Sequence, residues 1–310
     1  MRCLHVPAPT TPLRLDVFLT RALPPCSRRR AQQLIAAGAV RVNGRRVPKG
    51  VTVVGGDRVD VEDDWLVSLG LRPNPELPVR ILYEDSAVLA VDKPPGLASQ
   101  ALRADETDTV ANFLLARHPE LATVGKTPLE AGIVHRLDTA TSGVLLVARM
   151  AGAYAALRRQ FSEHRVRKEY RALVHGNVAH ASEIQTPIVA PRNSPRVRVC
   201  RAARPDGHAA HTRIEPLERY EGFTLLAVEI STGVRHQIRV HLASIGHPVV
   251  GDRSYGPTDV AGAGAVPRHL LHAFRLGFVH PESRKAIEIA SPLPPDFTAC
   301  LNTLRSQNTT

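Results

Sequence analysis

One aspartate stands out as a candidate for chemistry because of the segments on either side of it. Asp138 follows the apolar pair Ile133 and Val134 and precedes a small polar turn and an apolar run that starts at Val144. A carboxylate on a loop braced by two buried segments can act as a nucleophile. An aspartate in this setting is also a common turn former, so the local pattern leaves both interpretations open.

Patterns for other kinds of catalysis are missing from the sequence. It has no H-E-x-x-H, G-x-S-x-G, P-loop or G-x-G-x-x-G motif. Its four cysteines are scattered without a C-x-x-C pair, which argues against a cysteine zinc site and a disulfide framework and favours a reducing, cytoplasmic setting. His236 and His241 are five residues apart, which does not place them on one helix face. We therefore expect no metal, nucleotide or redox cofactor.

The charge distribution indicates a polyanionic partner. The chain carries 40 lysine and arginine residues against 29 acidic ones, a net charge of +11. Residues 1–62 hold eleven basic and four acidic residues, and residues 158–204 hold eleven basic and three acidic ones. Two basic patches on a mildly acidic remainder favour RNA or DNA as the partner, and the arginine fork suits phosphate. The arginine-rich composition could also reflect a GC-rich coding sequence.

The composition and the pattern of elements limit the fold class. The 310 residues are 43% hydrophobic and 22% charged, which is typical of a globular protein. No apolar run is long enough to span a membrane, and the proline-rich residues 1–12 lack the apolar core of a secretory signal. Strand-like runs outnumber helical ones and do not alternate with long helices. We therefore predict an α+β fold rather than a doubly wound sheet.

Several predicted elements are expected to surround the loop of Asp138. Alternating and apolar runs predict two strands between residues 79 and 96, a strand from Val144, a strand over 168–176 and a strand over 222–230. Helical spacing predicts helices over 109–117, with Asp108 as a possible N-cap, over 152–164, and after the turn at Thr232 and Gly233.

Residues 13–61 form a compact unit of their own in the sequence. We predict a helix over 16–23, a second helix with Ser27 as its N-cap and Gly38 as its stop, and then short strands around an Asn-Gly hairpin turn. Three arginines, at positions 28, 29 and 30, fall in the first turn of the second helix, where a cation opposes the helix dipole. A bound phosphate would explain them, and a solvated charged face is the alternative.

This N-terminal unit resembles the S-four RNA-binding domain. The segments that match in order are SRRRAQQLI, GAVRVNG and GDRVDV. The resemblance implies a helix-helix-strand module that binds RNA, with Arg28, Arg29 and Arg30 as candidate substrate-binding residues. The proline-containing residues 63–78 are predicted to be a linker.

The remainder of the chain resembles the RluA-type pseudouridine synthases. The segment GIVHRLDTATSG looks like their H-R-L-D signature, and further matching segments follow the same order: VDKPPG, RKEYRALVHG, TGVRHQIRVHLASIGHPVVGDRSYG and LLHAFRLGFVHP. The resemblance covers residues 79 to about 300. It implies a catalytic domain with a mixed, mainly antiparallel sheet and flanking helices.

The resemblance also implies roles for individual residues. Three residues match catalytic positions of the family. Asp138 matches the catalytic carboxylate, and Arg239 matches the arginine that keeps this carboxylate ionised. Tyr170 matches the aromatic residue that holds the base and helps proton transfer at the ring carbon. Leu271 would complete the pocket wall. The target uridine has to leave its stack to reach the carboxylate, and Arg136 could fill the vacated space or contact a phosphate. The basic residues 158–204 would grip the RNA backbone around Tyr170.

Two departures from the family pattern are visible. The family often has T-G-R-x-H-Q-I-R, whereas this chain has Val234 and Arg235 after Thr232-Gly233, so the first arginine is absent or moved by one place. The family also often has His-Pro soon after the lysine-proline-glycine segment, where this chain has GLASQALRADETDTV. Both differences affect the expected RNA contacts and leave Arg239 in place.

We therefore expect a monomeric, cytoplasmic isomerase that converts uridines of large-subunit ribosomal RNA to pseudouridine. Three alternatives remain: a tRNA pseudouridine synthase, a catalytically silent RNA-binding factor in ribosome assembly, and a glycoside hydrolase. A glycoside hydrolase usually needs two carboxylates across the scissile bond, and the loop over 134–143 contains only one.

Overall fold

A computed structural model describes residues 1–8, 11–23, 26, 28–62, 71–191, 194, 196–200, 205–257 and 266–307. The predicted N-cap Ser27 and residues 63–70 of the predicted linker lie outside these ranges. The contacts divide the chain into two units, one of residues 1–77 and 100–132 and the other of residues 78–99 and 133–310. No helix in the described ranges is long and apolar enough to cross a membrane.

The first unit begins with the predicted helix pair. Helix α1 spans Leu15–Ala22 and helix α2 spans Arg28–Ala36. Ala31, Leu34 and Ile35 are buried, because their spacing puts them on the face of α2 that packs against the core. Gly38 follows α2 with φ of +72°, a conformation that glycine adopts without steric cost.

Short strands complete this part of the first unit. One four-stranded sheet has the order β1-β6-β3-β4, and a small second sheet pairs β2 with β5. The Asn43–Gly44 pair has positive φ at both residues, as expected for the predicted hairpin turn. Strand β1 was not predicted, because residues 1–12 were interpreted only from their prolines. The strands are β1 (Arg2–His5), β2 (Leu13–Arg14), β3 (Val40–Val42), β4 (Arg45–Arg46), β5 (Thr52–Val53) and β6 (Arg58–Val61).

Residues 100–132 also belong to the first unit, although the sequence places them between two strands of the second. They contain helix α3 (Val110–Arg117) and a 3-10 helix (Pro119–Thr123). The N-cap of α3 is Thr109, so the prediction of Asp108 is wrong. Thr109 is buried, and it forms a capping box with Asn112 that satisfies two backbone N–H groups at the start of the helix.

The second unit is built on one large sheet. Its strand order is β11-β15-β16-β10-β17-β9-β8-β7, and β18 also pairs with β17. Neighbouring strands are antiparallel except for β17 and β9, which are parallel. The strands are β7 (Arg80–Glu84), β8 (Val88–Lys93), β9 (Ser142–Ala148), β10 (Arg167–His175), β11 (Ser182–Ile184), β15 (Thr212–Tyr220), β16 (Phe223–Ile230), β17 (Leu271–Val279) and β18 (Ala286–Ala290).

In the described part of the second unit, three helices and a second, smaller sheet accompany the large sheet. The helices are α4 (Ala151–Ser162), α5 (Gln237–Ser244) and α6 (Pro295–Gln307). The small sheet has the order β13-β12-β14 and consists of β12 (Ile188–Val189), β13 (Arg198–Val199) and β14 (Gly207–His208). The α+β class and the mixed, mainly antiparallel sheet are therefore confirmed.

The parallel pairing of β9 and β17 depends on one glycine. Gly143 has φ of +114°, and a Cβ atom at this position would lie 2.2 Å from the carbonyl oxygen of Ala273. The two backbones can approach this closely only because residue 143 has no side chain. This approach places the loop that precedes β9 beside the start of β17.

Candidate active site

The loop that carries Asp138 is fixed by hydrogen bonds to its backbone. The Ser99 hydroxyl donates to the carbonyl oxygen of Leu137 at 3.1 Å and accepts from the Leu137 N–H at 3.0 Å. The buried Lys93 ammonium donates to the carbonyl oxygen of Thr139 at 2.9 Å. Because the residues on both sides of Asp138 are held from within the protein, its side chain has a defined position at the end of the loop.

Arg239 joins two carboxylates. It lies on α5, and its Nη1 donates to Oδ2 of Asp138 at 3.0 Å. Its Nε and Nη2 donate to the two carboxylate oxygens of Asp252 at 2.7 and 2.8 Å. The side chains of Arg239 and Asp252 are 7% and 0% exposed, whereas that of Asp138 is 25% exposed. The guanidinium group is therefore held from the interior by Asp252 and presented to Asp138.

The electrostatics keep this inner pair ionised. Burial opposes the charge of Asp252, but the hydrogen bonds and the charge of Arg239 outweigh it and lower the pKa of Asp252. Burial likewise opposes the charge of Arg239, and Asp252 and then Asp138 outweigh it and raise the pKa of Arg239. The sequence interpretation missed Asp252, although its G-D-R-S-Y-G segment was part of the resemblance.

Asp138 and Arg239 line a cleft that is open to solvent. Tyr170 from β10 and Leu271 from β17 form part of its wall, and Arg136 is exposed at its edge. All five residues predicted from the synthase resemblance therefore meet at one place. Burial, followed by the negative charge of Asp138, raises the pKa of Tyr170 well above its ordinary value, so this residue stays a neutral phenol near pH 7. The complete lining is Arg136, Leu137, Asp138, Thr141, Tyr170, Ile230, Gly233, Val234, His236, Gln237, Ile238, Arg239 and Leu271.

His236 is a further cleft residue that the sequence interpretation did not assign. It precedes α5 in the left-handed conformation, with φ of 55°. Its Nε2 lies 3.8 Å from Oδ2 of Asp138, and its Nδ1 lies 2.9 Å from the Tyr255 hydroxyl oxygen. Burial lowers the pKa of His236 despite the opposing charge of Asp138, so the ring is neutral near pH 7.

The predicted phosphate-binding arginines of the first unit lie on the first turn of α2. Arg28 and Arg29 are exposed and Arg30 is half-buried. Arg28 also has a structural partner, because its Nε donates at 3.1 Å to the buried carboxylate of Asp16, which Arg14 contacts as well. The sequence interpretation missed this carboxylate, and Arg28 is therefore not available solely for phosphate.

The described basic residues of the range 158–204 do not form one surface around Tyr170. Residues alternate between the two faces of a strand, so Arg167 and Arg171 project from the face of β10 opposite Tyr170. There Arg167 pairs with Glu229 at 2.8 Å and Arg171 contacts Glu169 at 2.5 Å. The expectation that this whole patch grips RNA beside Tyr170 is therefore wrong for these two arginines.

The departures from the family pattern have structural counterparts. Val234 lines the cleft, and Arg235 is exposed and donates through Nη2 to the carbonyl oxygen of Ser194 at 2.9 Å. Arg235 therefore contacts the segment between β12 and β13 of the small sheet. Among the described residues, no group of three or more histidine, cysteine or acidic side chains could hold a metal ion.

Comparison with protein families gives two matches. Residues 87–244 match the family described as RNA pseudouridylate synthase. The matched range includes Asp138 with its loop, Tyr170 and Arg239. Residues 13–59 match the S4 domain, which includes the three arginines of α2.

Similar full-length proteins cover nearly the whole chain. A protein of Xanthomonas campestris pv. campestris named ribosomal large subunit pseudouridine synthase D is 36% identical over 99% of this chain and 94% of its own length. A protein of Aquifex aeolicus named uncharacterized RNA pseudouridine synthase is 40% identical over 86% of each chain. The solved structure of human RNA pseudouridylate synthase domain containing 1 is 29% identical, covers 74% of this chain and 90% of its own, and has a TM-score of 0.57.

Proposed function

Because this chain belongs to the RNA pseudouridylate synthase family, and is thus an RNA-modifying isomerase, we propose that Asp138 is its catalytic carboxylate, with Arg239 as its partner. The observation that carries this assignment is the 3.0 Å contact between the Arg239 guanidinium and Asp138 inside a cleft. Asp138 is the accessible end of this ion pair, so a nucleotide that enters the cleft meets a charged carboxylate.

The proposed reaction is an isomerisation of one nucleotide. The bond between the ribose anomeric carbon and the uracil nitrogen breaks, the base turns, and a ring carbon of the same base forms a bond to the anomeric carbon. That ring carbon then loses its proton, and the freed nitrogen gains one. The product has the same atoms as the substrate, so no oxidant, reductant or group donor is consumed. We propose that Asp138 acts at the sugar as nucleophile or charge stabiliser, while Tyr170 and Leu271 hold the base in the cleft.

The target base has to leave its helix or loop before it can reach Asp138. We propose that Arg136, exposed at the edge of the cleft, occupies the vacated space or contacts a neighbouring phosphate. Residues 13–62 would form the RNA-binding domain, 63–78 a linker, and 79–300 the catalytic domain. The exposed Arg28 and Arg29, with the half-buried Arg30 beside them, support phosphate binding by the first unit.

We propose large-subunit ribosomal RNA as the substrate, because relatives that cover almost the whole chain carry that substrate in their names. The enzyme would work as a monomer, in the cytoplasm where that RNA is made. A tRNA substrate is the alternative within the same chemistry. Mapping pseudouridines across the transcriptome in cells with and without the gene decides between ribosomal RNA and tRNA, because each pseudouridine lost without the gene identifies an RNA that the enzyme modifies.

The catalytic assignment is tested with Asp138→Asn, which keeps the size of the side chain and removes its charge. We expect no detectable pseudouridine from this variant, with RNA binding retained. Asp92→Asn is a matched control, because Asp92 is 23% exposed, contacts Arg80 at 3.1 Å and does not line the cleft. Near wild-type turnover by Asp138→Asn would contradict the assignment. A wild-type protein that binds RNA without forming pseudouridine would support the silent assembly factor instead.

A further inference from the structure

A basic segment lies next to α5 and is not used by the proposed chemistry. Residues 185–191, 194, 196–200 and 205–211 are here called the arm, and they contain the small sheet β12–β14. The described arginines of the arm, Arg196 and Arg198, are both exposed. Residues 185–211 of the sequence contain one acidic residue, Asp206, against five arginines, at positions 192, 196, 198, 201 and 204. This charge suits a polyanion, and the enzyme's polyanion is its RNA substrate.

Helix α5 holds both ends of the arm. The Nε2 of His241 lies 2.8 Å from the carbonyl oxygen of Thr186, near the start of the arm. The Gln237 side-chain amide donates to the carbonyl oxygen of His211, at its end, at 2.9 Å. Gln237 and His241 are four residues apart and thus share one face of the helix, whereas Arg239 lies between them on the opposite face. One short helix therefore contacts the arm through Gln237 and His241 and presents Arg239 to Asp138.

Tyr255 connects the middle of the arm to the same helix. Its hydroxyl oxygen accepts a hydrogen bond from the backbone N–H of Val197 at 2.8 Å and lies 2.9 Å from Nδ1 of His236. The guanidinium carbon of Arg239 lies 5.2 Å from the centroid of the Tyr255 ring. The Tyr255 side chain thus contacts the arm between Arg196 and Arg198, the residue that precedes α5, and the arginine of the proposed catalytic ion pair.

We infer that the arm binds the RNA backbone and that Tyr255 is a positioning residue. Its hydroxyl group contacts both the arm and His236, so the position of the arm affects the positions of His236 and Arg239 beside Asp138. The inference rests on the proposed function, since it concerns the same ion pair. Phosphate contacts at Arg196 and Arg198 act on the strand segment that Val197 ties to Tyr255. Tyr255 itself stays outside the cleft lining and acts only through its neighbours.

The positioning role is tested with Tyr255→Phe, which removes the hydroxyl and keeps the ring beside Arg239. We expect the single-turnover rate constant at saturating RNA to fall about tenfold, the factor that one or two neutral hydrogen bonds are worth, without a matching rise in the Kd for RNA. Tyr220→Phe is the control, because Tyr220 is also buried and its hydroxyl donates to Glu218, away from the cleft. A Tyr255→Phe rate equal to that of wild type, or equal to that of Tyr220→Phe, would overturn the role.

The binding role of the arm is tested with the double variant Arg196→Gln/Arg198→Gln. Two lost contacts to single-stranded RNA should weaken binding and reduce the slope of log affinity against log salt by about 1.4. The double variant Arg284→Gln/Arg305→Gln makes the same change of charge at two exposed arginines outside the arm and should keep the wild-type slope. An unchanged slope in the arm variant would refute RNA binding by the arm.

The same assays separate this inference from the function on which it rests. An inactive Asp138→Asn together with a fully active Tyr255→Phe refutes only the positioning role. An active Asp138→Asn refutes the catalytic assignment, whereas the salt slopes of the arginine variants still report on the arm.

Discussion

Replacement of Asp252 by asparagine tests how the catalytic arginine is held. Asp252 is fully buried and accepts hydrogen bonds from Nε and Nη2 of Arg239 at 2.7 and 2.8 Å. Asp252→Asn keeps the shape of the side chain, but it removes the negative charge and turns one acceptor into a donor that faces a guanidinium group. Loss of one partner from a buried ion pair costs about 3–5 kcal/mol of folding stability, because the other charge stays behind without compensation.

The variant should affect catalysis as well as stability. Arg239 would lose the contacts that aim it at Asp138, and each 1.4 kcal/mol lost from the transition state is about a tenfold loss of rate. We expect the single-turnover rate constant to fall by about 100-fold or more with RNA binding retained, as for an interaction that matters mainly in the transition state. Chemical denaturation and quench-flow assays on one preparation measure both effects.

A surface pair of the same geometry provides the control. Glu218 accepts two hydrogen bonds from Arg305 at 2.7 and 2.9 Å, but both side chains are well exposed. Glu218→Gln should therefore change the free energy of unfolding by about 1 kcal/mol or less and leave the rate constant unchanged. If Asp252→Asn turned over like Glu218→Gln, Asp252 would not position Arg239, and the account of the site would be wrong.

Three further results are expected. Arg239→Lys should lose most activity in a pseudouridine formation assay, because an ammonium group cannot hold two carboxylates with a planar fork. Arg28→Gln and Arg29→Gln should both reduce the salt dependence of RNA binding measured by titration, but only Arg28→Gln should also destabilise the fold, since it removes a contact to Asp16. Burial lowers the pKa of His272 to about 4. Between about pH 6.5 and pH 4, His272 is therefore protonated in the unfolded chain and neutral in the folded chain. The free energy of unfolding consequently falls as the solution is acidified through this interval. His272→Gln should reduce the pH dependence of the free energy of unfolding in that interval without removing it, because burial also lowers the pKa values of His135 and His269. An unchanged curve would contradict a buried neutral ring.

Local patterns in the sequence predicted most of the elements that position the site. The run from Val144 is β9, the strand with Tyr170 is β10, and the helix after Gly233 is α5. These segments are long or strongly patterned, so the spacing of their apolar residues is enough to predict them. The positions of Asp138, Tyr170 and Arg239 in one cleft could be expected only from the family resemblance, because 101 residues separate the partners of the ion pair.

Tertiary packing accounts for what the sequence did not predict. The pairing of Asp252 with Arg239 and of Asp16 with Arg28 depends on the way separate elements pack, and no spacing rule specifies it. Charge counts likewise ignore direction, so Arg167 was assigned to the RNA-binding patch although its strand turns it to the opposite face. Residues 100–132 belong to the first unit because of contacts between residues far apart in the sequence, and local sequence patterns do not predict such contacts.

The surroundings of Asp252 also bear on the glycoside hydrolase alternative. Two carboxylates, Asp138 and Asp252, do lie on either side of one guanidinium group, and a pair of carboxylates is what glycoside hydrolysis usually requires. A general acid has to hold a proton and reach the leaving oxygen. Asp252 does neither, because Arg239 keeps its pKa low, both of its oxygens are engaged, and its side chain has no exposed surface.

The cleft therefore offers substrate the carboxylate of Asp138 without a partner acid from Asp252. The charges of Arg239 and Asp252 balance, so the negative charge of Asp138 is left for the cleft, and the neutral His236 beside it does not cancel it. A carboxylate in that state can stabilise or capture positive charge at an anomeric carbon, but it does not supply a proton to a departing alcohol. Asp138 and Asp252 therefore do not form the acid and carboxylate pair that glycoside hydrolysis usually requires, whereas isomerisation of a nucleotide releases no alcohol that has to be protonated.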